Sequence, residues 1–376
     1  MTGRLLGALV AALSTIPLVA AADVDSRISY TSQPDQVAVF LNGIAYARDS
    51  LSLPGGVDAR ILLPDSTYVD TLILREDGER VSPYRLDRRS GQLAVQWQSA
   101  SQSALREVTL EYLLGGVSWA PKYDMWIGAE TDETVDLDFF AQIENGALTM
   151  EDVETQLVAG RVDPAQMVDA VSQITANQYI AGYEEPVAMA APTGSLDIQH
   201  VYDVGSVSAE PSDTVFLSMH GGTLPARRLQ LWNAQTDDQV SVIYKVLNES
   251  ELPFAEGTVH AYQDGLFIGS DFMELTPLGS EGSVTVGHLP DVRVSRSESS
   301  TAVSAGRFDY LNEVELTISN FGSTAVEVEV VDQRRPEAQE LQASVEPEET
   351  ADNLLRWQVT VEPSATVVIS YDYKTE

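Results

Sequence analysis

The sequence lacks cysteine entirely among its 376 residues. This absence excludes disulfide bonds, cysteine-ligated zinc, iron–sulfur clusters and thiol nucleophiles. Disulfides are common in eukaryotic secreted proteins, so a cysteine-free chain that is exported would be more typical of a bacterial or archaeal envelope.

Basic residues are also scarce, with 22 Lys plus Arg against 57 Asp plus Glu and a formal net charge of −35. A surface this acidic does not neutralise phosphates, so we expect no nucleic-acid partner and no attraction to an anionic membrane. The lysines are Lys122, Lys245 and Lys374 alone, and the other basic residues are arginines. This composition is typical of adaptation to high salt, which screens charge repulsion, but a GC-rich genome also favours arginine.

The only long apolar run lies at the N-terminus. Arg4 precedes an apolar stretch from Leu5 to Val19, and the small residues Ala20, Ala21 and Ala22 follow it. This order is typical of a secretory signal, so we predict a signal peptide over residues 1–22 that is removed after Ala22. The alternative is an uncleaved anchor helix, for which the run is short. The predicted location is therefore extracytoplasmic, periplasmic or secreted, with no membrane insertion after signal cleavage.

The rest of the chain shows the period-two alternation of half-buried strands. Apolar residues alternate with polar ones at Val314, Leu316 and Ile318, and again from Val326 to Val330. Turn residues separate such runs at short spacing, which indicates β-sandwich modules. We predict an all-β fold of two or more β-sandwich-like units, with an N-terminal β domain at 23–104 and a second β domain at 105–376.

One stretch, at about 160–200, has a different composition, rich in Met, Ala, Pro, Gln and Gly. Asp163 and Pro164 are typical of a helix start, so we predict at most one short helix in the mature chain there. Residues Tyr183 to Gly194 are predicted to be a flexible loop, and we expect limited proteolysis to cut the chain between Tyr179 and Gly194. The long flexible insertion is either disordered or a functional loop, and its composition favours disorder.

The sequence contains an internal repeat. The segment Val37–Ile44 reappears as Val259–Leu266, with Asn42-Gly43 and Asp264-Gly265 at equivalent positions. Both dipeptides favour two-residue type I′ hairpin turns, because both central residues need positive φ. Two further pairs match at the same offset: Asp49 with Asp271, and Leu53 with Leu275. We predict a hairpin-led unit used twice; paired binding sites are the alternative interpretation.

A family resemblance is present in the middle of the chain. The segment Leu113–Asp124, which contains Gly115-Gly116 and the Trp119-Ala120-Pro121 run, resembles the signature of the mucoidy-inhibitor-A-like family. The C-terminal module shared in that family is a domain of unknown function, numbered 4139, and the resemblance covers roughly 105–376. The resemblance implies a β-rich exported or envelope protein and supplies no catalytic residues. We expect Trp119 and Tyr123 to be core residues, since buried aromatics dominate core energetics.

No motif points to a particular chemistry. The four histidines are far apart in sequence and form no metal-ligating pattern, and no nucleophile elbow or nucleotide-binding loop occurs. The acids from Asp132 to Asp138 lack calcium-loop spacing and are expected to form a solvated surface. We therefore predict no catalytic, cofactor-binding or metal-ligating residues and no cofactor.

These observations favour an acidic binding or structural module of the cell envelope over an enzyme, with an unknown envelope protein or polysaccharide as partner. The alternative is a carboxylate-dependent hydrolase acting on envelope polysaccharide, and a third is a calcium-stabilised adhesion domain. An enzyme needs two carboxyl groups converging at about 5 to 9.5 Å in a cleft. A binding module needs an exposed apolar patch or an open sheet edge.

Overall fold

The computed structural model describes residues 28–56, 58–88, 91–99, 101, 103–129, 132–160, 194–196, 199–305, 308–350 and 353–376. The described residues form strands and turns without an α-helix, so the predicted all-β fold class is confirmed. The predicted signal peptide and the predicted helix after Asp163 lie outside the described residues. Within the predicted insertion, the structure describes Gly160, a short strand at Gly194–Leu196 and the start of the next strand. No helix in the described part of the chain is long and apolar enough to cross a membrane.

The strands are numbered in chain order. They are β1 (Ile28–Thr31), β2 (Gln36–Phe40), β3 (Ile44–Pro54), β4 (Ala59–Leu62), β5 (Thr67–Glu76), β6 (Glu79–Arg80), β7 (Arg85–Asp87), β8 (Ala94–Trp97), β9 (Leu105–Gly115), β10 (Val117–Ile127), β11 (Thr134–Asn145), β12 (Met150–Ala159), β13 (Gly194–Leu196), β14 (Gln199–Ala209), β15 (Asp213–Asn233), β16 (Ser241–Leu247), β17 (Gly257–Gln263), β18 (Leu266–Met273), β19 (Glu281–His288), β20 (Val292–Ala305), β21 (Phe308–Asn320), β22 (Val326–Gln333), β23 (Gln339–Ala343), β24 (Glu348–Glu349), β25 (Leu354–Val361) and β26 (Thr366–Thr375).

The chain divides into two compact units. Of the described residues, those up to Ser32, Ser50–Asp65 and Ile73–Thr109 form the first unit, and Gln33–Asp49, Ser66–Leu72 and those from Leu110 onward form the second. The units therefore alternate along the sequence. The chain passes from one unit to the other after Ser32 and after Asp65, and also within strands β3, β5 and β9. The predicted division at 104/105 stays a prediction.

The first unit contains a four-stranded sheet in the order β1-β4-β8-β7. Its core includes Ile61 and Trp97, which are buried. The indole Nε1 of Trp97 donates to Glu76 Oε2 at 2.5 Å, and Arg106 Nη1 lies 3.2 Å from the same oxygen. The Arg106 guanidinium also lies 5.5 Å from the centre of the Trp97 ring. The buried Arg106 charge is thus compensated by a carboxylate and an aromatic face.

The second unit contains a ten-stranded sheet that follows the path β18-β17-β10-β11-β15-β22-β25-β24, with β16 and β19 joined through β15. The 21-residue strand β15 pairs with β11 along its first part and with β16 and β22 along its second. It therefore carries the hydrogen-bonded path from the β10–β11 region to the C-terminal strands.

A β-sandwich forms the C-terminal part of this unit. A four-stranded sheet in the order β20-β21-β26-β23 shares one apolar core with β22 and β25. The alternation of Val314, Leu316 and Ile318 faces this core as predicted, and Val328 and Trp357 contribute from the other sheet. Local period-two patterning is sufficient here because each strand has one buried and one wet face.

The repeated hairpins occupy similar positions in their sheets. Strand β2 opens the first hairpin and pairs in parallel with β12, whereas β17 opens the second and pairs in parallel with β10. Asp49 Oδ2 accepts a hydrogen bond from Gln33 N at 2.9 Å, and Asp271 Oδ2 accepts one from Thr285 N at 2.6 Å. The matched aspartates thus both bond a backbone N–H of a neighbouring segment.

The two hairpin turns differ. Asp264 and Gly265 both have positive φ, 52° and 76°, and form the two-residue turn that the sequence predicted. In the first hairpin only Gly43 has positive φ, and Val39 pairs with Ala45. A two-residue turn at Asn42-Gly43 would pair Val39 with Tyr46 instead. The observed loop is therefore one residue longer, and the predicted two-residue turn is wrong here. The longer loop closes on the glycine, which adopts the left-handed conformation at least cost.

The aromatic cluster predicted from the family-like segment is part of the core. Trp119 is buried and donates from Nε1 to the Val158 carbonyl at 3.0 Å. Tyr123 is buried, donates to the Ala255 carbonyl at 2.8 Å and stacks on Phe139 with ring centres 4.7 Å apart. Burial raises the pKa of Tyr123 well above its ordinary value, consistent with a structural hydroxyl rather than a reactive one.

Candidate docking surface

The four histidines have separate surroundings. The His220 ring lies against Phe254, and His288 Nδ1 lies 3.4 Å from Ser241 Oγ. His260 lies 3.6 Å from Asp124 on the neighbouring strand, rather than near Asp264 in the turn that follows it. His200 is placed on β14, opposite Ala159. Within the described ranges, no three acidic or histidine side chains are grouped so that they could hold a metal ion.

The most conspicuous surface feature is a row of three aromatic side chains across one face of the ten-stranded sheet. Trp126 on β10 pairs in register with Tyr262 on β17, which pairs with Phe267 on β18. The Trp126 and Tyr262 rings stack with centres 4.5 Å apart and an angle of 20°, and Phe267 meets Tyr262 edge to face at 5.8 Å. We call Trp126, Tyr262 and Phe267 the aromatic row.

The aromatic row is accessible to solvent. Trp126 is 43% exposed and Phe267 is 58% exposed. Phe272 is also exposed and pairs with Thr258, on the same face of β17 as Tyr262, whereas the exposed Leu266 pairs with Gln263 on the other face. Single exposed apolar residues are normal on protein surfaces, but a contiguous group marks an interaction site.

The first hairpin provides an internal comparison. Its Ala45 matches Phe267 at the same sequence offset and is fully buried, but Ala45 lies opposite Val39 whereas Phe267 lies opposite Tyr262, so the two side chains are on opposite faces of the repeated hairpin. Strand β3 is buried on both faces at its start, whereas β18 is exposed along most of its length. The same element is therefore covered within the chain in one copy and left open, with larger aromatic side chains, in the other.

Carboxylates line the side of the aromatic row formed by β11. Asp136 is the register partner of Trp126, and its Oδ1 accepts a hydrogen bond from Thr223 Oγ1 at 2.5 Å. Asp138 lies two residues further along the same face and its carboxylate sits over Gly221, where a Cβ would come within 2.8 Å of Oδ1. The lack of a side chain at Gly221 thus leaves room for the carboxylate. The aromatic row is bordered by negative charge.

A second polar cluster is buried in the C-terminal sandwich. Asp332 is fully buried and accepts hydrogen bonds from Arg296 Nε at 3.0 Å, Tyr371 Oη at 2.7 Å and Gln235 Nε2 at 2.7 Å. Glu298 binds the other side of Arg296, with Oε2 at 2.9 Å from Nη1. We call this set the Asp332 cluster. These contacts join three strands and a loop of the sandwich, so we assign the cluster a role in holding the sandwich together.

The electrostatics of this cluster follow from burial and pairing. Burial disfavours the charged guanidinium, but the charge of Asp332 and the hydrogen bonds to Glu298 and Asp332 together outweigh this and raise the pKa of Arg296. Burial opposes ionisation of Glu298 too, yet hydrogen bonds from Arg296 and Tyr373 outweigh it and lower the pKa of that carboxyl. Burial, with the nearby carboxylates, raises the pKa of Tyr371 and raises that of Tyr373 to about 12. Both tyrosines therefore stay protonated as hydrogen-bond donors at neutral pH.

The outer face of the C-terminal sheet carries a shallow polar depression of about 570 Å³. Glu313 on β21 lies directly opposite Asp372 on β26, and Glu315 follows on the same face. Like charges directly opposite each other on neighbouring strands are unfavourable, although solvent screens them here.

Sequence reasoning missed the aromatic row. The available signal was the contiguous run Leu266-Phe267-Ile268 after the Asp264-Gly265 turn, which breaks period-two alternation. Such a run predicts a strand buried on both faces, and the structure leaves it exposed instead. The contribution of Trp126 carried no local signal, because it depends on which strand lies beside β17.

The fold and this surface define an all-β protein of two units with an exposed aromatic sheet face. Residues 108–376 match the family model described as "Domain of unknown function (DUF4139)", and the chain belongs to this family. A search of curated proteins found no match. The finer resemblance to the mucoidy-inhibitor-A-like family stays a prediction.

Proposed function

We propose that the protein is an exported binding module of the cell envelope and that the aromatic row is its docking surface. The exposed Trp126 and Phe267 side chains, made contiguous by the half-buried Tyr262 between them, carry this proposal. Aromatic residues supply much of the energy at protein interfaces because they bury a large area with few rotatable bonds. The N-terminal signal pattern supports export, and the net charge of −35 argues against nucleic acid as the ligand.

The partner is an envelope protein or polysaccharide, and co-purification from envelope extract tests this. We expect the mature wild-type protein to retain a component that the Trp126→Ala, Phe267→Ser double variant loses. Phe321→Ser is the matched control, because Phe321 is also exposed but lies in the turn after β21. Equal retention by all three proteins would contradict the docking role of the aromatic row.

Export is tested separately by N-terminal sequencing of the protein from its native cells. We expect the mature chain to begin near Asp23 and to be found outside the cytoplasm. Intact Met1 on protein embedded in a membrane would contradict the export part of the proposal.

A hydrolase acting on envelope polysaccharide is the second candidate, and the opposed pair Glu313 and Asp372 favours it. Opposite residues on antiparallel strands have Cβ atoms about 5 Å apart, a spacing that allows their carboxyl groups to act as a pair. This function requires hydrolytic release of sugars that Glu313→Gln and Asp372→Asn each abolish. If neither variant changes the release of sugars, the pair is not catalytic.

A further inference from the structure

Resting on the proposed function, we propose that the docking surface binds an extended basic segment of a partner polypeptide. In this complex an arginine side chain stacks on the free face of the Trp126 indole and pairs with the Asp136 carboxylate. A second arginine, two residues along the segment, pairs with Asp138.

The slot for the first arginine follows from the strand order. Tyr262 on β17 covers one face of the Trp126 ring, at 4.5 Å between ring centres. Strand β11 lies on the other side of β10, so the second face of the indole is directed toward Asp136. Guanidinium groups stack on aromatic faces and pair with carboxylates through parallel hydrogen bonds, and the planar group can do both at once.

The carboxylates near Trp126 differ in whether a cationic side chain lies beside them, and this difference supports Asp136 and Asp138 as the partners of the arginines. Asp124 already lies 3.6 Å from His260. In the described part of the chain, neither Asp136 nor Asp138 has a cation within ion-pair distance, and Asp136 is held in place by Thr223. Two oriented carboxylates beside exposed aromatic rings are complementary to a ligand with both cationic and apolar character.

The spacing of the carboxylates specifies an extended ligand. Asp136 and Asp138 occupy alternate positions on β11 and face the same side of the sheet. At about 3.3 Å per residue, their backbone positions are roughly 7 Å apart. Alternate side chains of an extended peptide have the same separation, so the sequence Arg-x-Arg matches both carboxylates.

Other occupants fit this surface less well. A neutral sugar ring could stack on the free face of Trp126, but it carries no charge to pair with the Asp136 carboxylate beside that face. An anionic polysaccharide would meet the carboxylates of Asp136 and Asp138 unfavourably. A second copy of the chain would oppose two surfaces that each belong to a chain of net charge −35.

The experiment measures binding of a synthetic peptide, Arg-Thr-Arg-Thr-Arg-Thr, to the mature protein at 0.15 M salt by calorimetry. We expect Asp136→Asn with Asp138→Asn to weaken binding at least tenfold, and Trp126→Leu to weaken it at least threefold. The control removes the same charge elsewhere, through Glu313→Gln with Asp372→Asn on the outer face of the C-terminal sheet. All altered side chains except the half-buried Asp138 and Asp372 are exposed, and melting temperatures verify that each variant is folded.

Each outcome has a defined meaning. An equal loss of affinity in the control would show that peptide binding reflects overall negative charge and would overturn the inference. The same peptide with lysine in place of arginine should bind several-fold more weakly, and equal affinity would overturn the stacking on Trp126. If the peptide does not bind while an envelope polysaccharide is retained through the aromatic row, the inference fails and the proposed function stands. If no envelope component depends on the aromatic row, the proposed function itself fails.

Discussion

Replacing Asp332 by asparagine tests how the Asp332 cluster stabilises the C-terminal sandwich. The substitution keeps the shape of the side chain and removes its charge. Asp332 Oδ2 accepts hydrogen bonds from Arg296 at 3.0 Å and from Tyr371 at 2.7 Å. An asparagine amide at this position would direct N–H groups at two donors, so at least one buried donor would lose its acceptor.

The expected loss of stability depends on the interactions that Arg296 keeps after the substitution. Removing one partner of a buried ion pair costs about 3 to 5 kcal/mol, because the other charge stays buried without compensation. The Arg296 side chain is 15% exposed and keeps Glu298 at 2.9 Å, which reduces this cost. We therefore expect Asp332→Asn to lower the free energy of unfolding by about 3 kcal/mol. Tyr371→Phe removes one hydrogen bond to the charged oxygen and should cost about 1.5 to 3 kcal/mol.

Urea denaturation at fixed ionic strength measures both effects, since guanidinium chloride would itself screen the acidic surface. The control is Asp372→Asn. Asp372 is the residue next to Tyr371 on the same strand, and its charged side chain lies on the opposite, outer face of the sheet. The substitution relieves the opposition to Glu313 and should leave stability unchanged or slightly higher. A loss below about 1 kcal/mol for Asp332→Asn, with unchanged denaturant dependence, would refute a stabilising role for the buried pair.

Three further predictions concern the acidic surface, the buried tyrosines and the close contact between β17 and β10. If the acidic surface is an adaptation to salt, the melting temperature should rise clearly between low salt and about 1 M NaCl, whereas a constant value would favour a compositional origin. The raised pKa values of Tyr371 and Tyr373 mean that the folded state holds their phenolic protons more tightly than the unfolded state does. The contribution of these protons to the free energy of unfolding is therefore complete below pH 10 and decreases as pH rises. For Tyr373 the loss should run from its ordinary pKa of 10.0 to about 12. Urea midpoints that stay constant between pH 9 and 12 would contradict this assignment. Gly257→Ala would place a Cβ 2.6 Å from the Pro121 carbonyl oxygen, where β17 pairs with β10. It should destabilise the protein by about 1 to 3 kcal/mol in urea denaturation. Gly222→Ala has no neighbour closer than 3.7 Å and should be close to neutral, so equal effects would contradict the packing argument.

The sequence by itself determined the fold class and much of the local structure. Alternation at Val314, Leu316 and Ile318 identified a strand with one face in a core, because side-chain direction alternates strictly along an extended backbone. The Asp264-Gly265 turn was predictable for the same local reason, since both residues accept positive φ. Trp119 and Tyr123 were correctly assigned to the core from residue type and context. The Asn42-Gly43 turn was not, because the pairing register of its strands overrode the local preference.

Only the tertiary structure decided which surfaces and clusters exist. The aromatic row combines residues 126, 262 and 267, and it forms because β17 adds in parallel beside β10. The Asp332 cluster likewise joins residues 235, 296, 332 and 371 from four separate segments. Local patterns state which face of a strand is apolar, but not which strand becomes its neighbour. That choice depends on pairing between residues far apart in sequence, and on whether another part of the chain covers the face that results, as it does at the start of β3 and does not along most of β18.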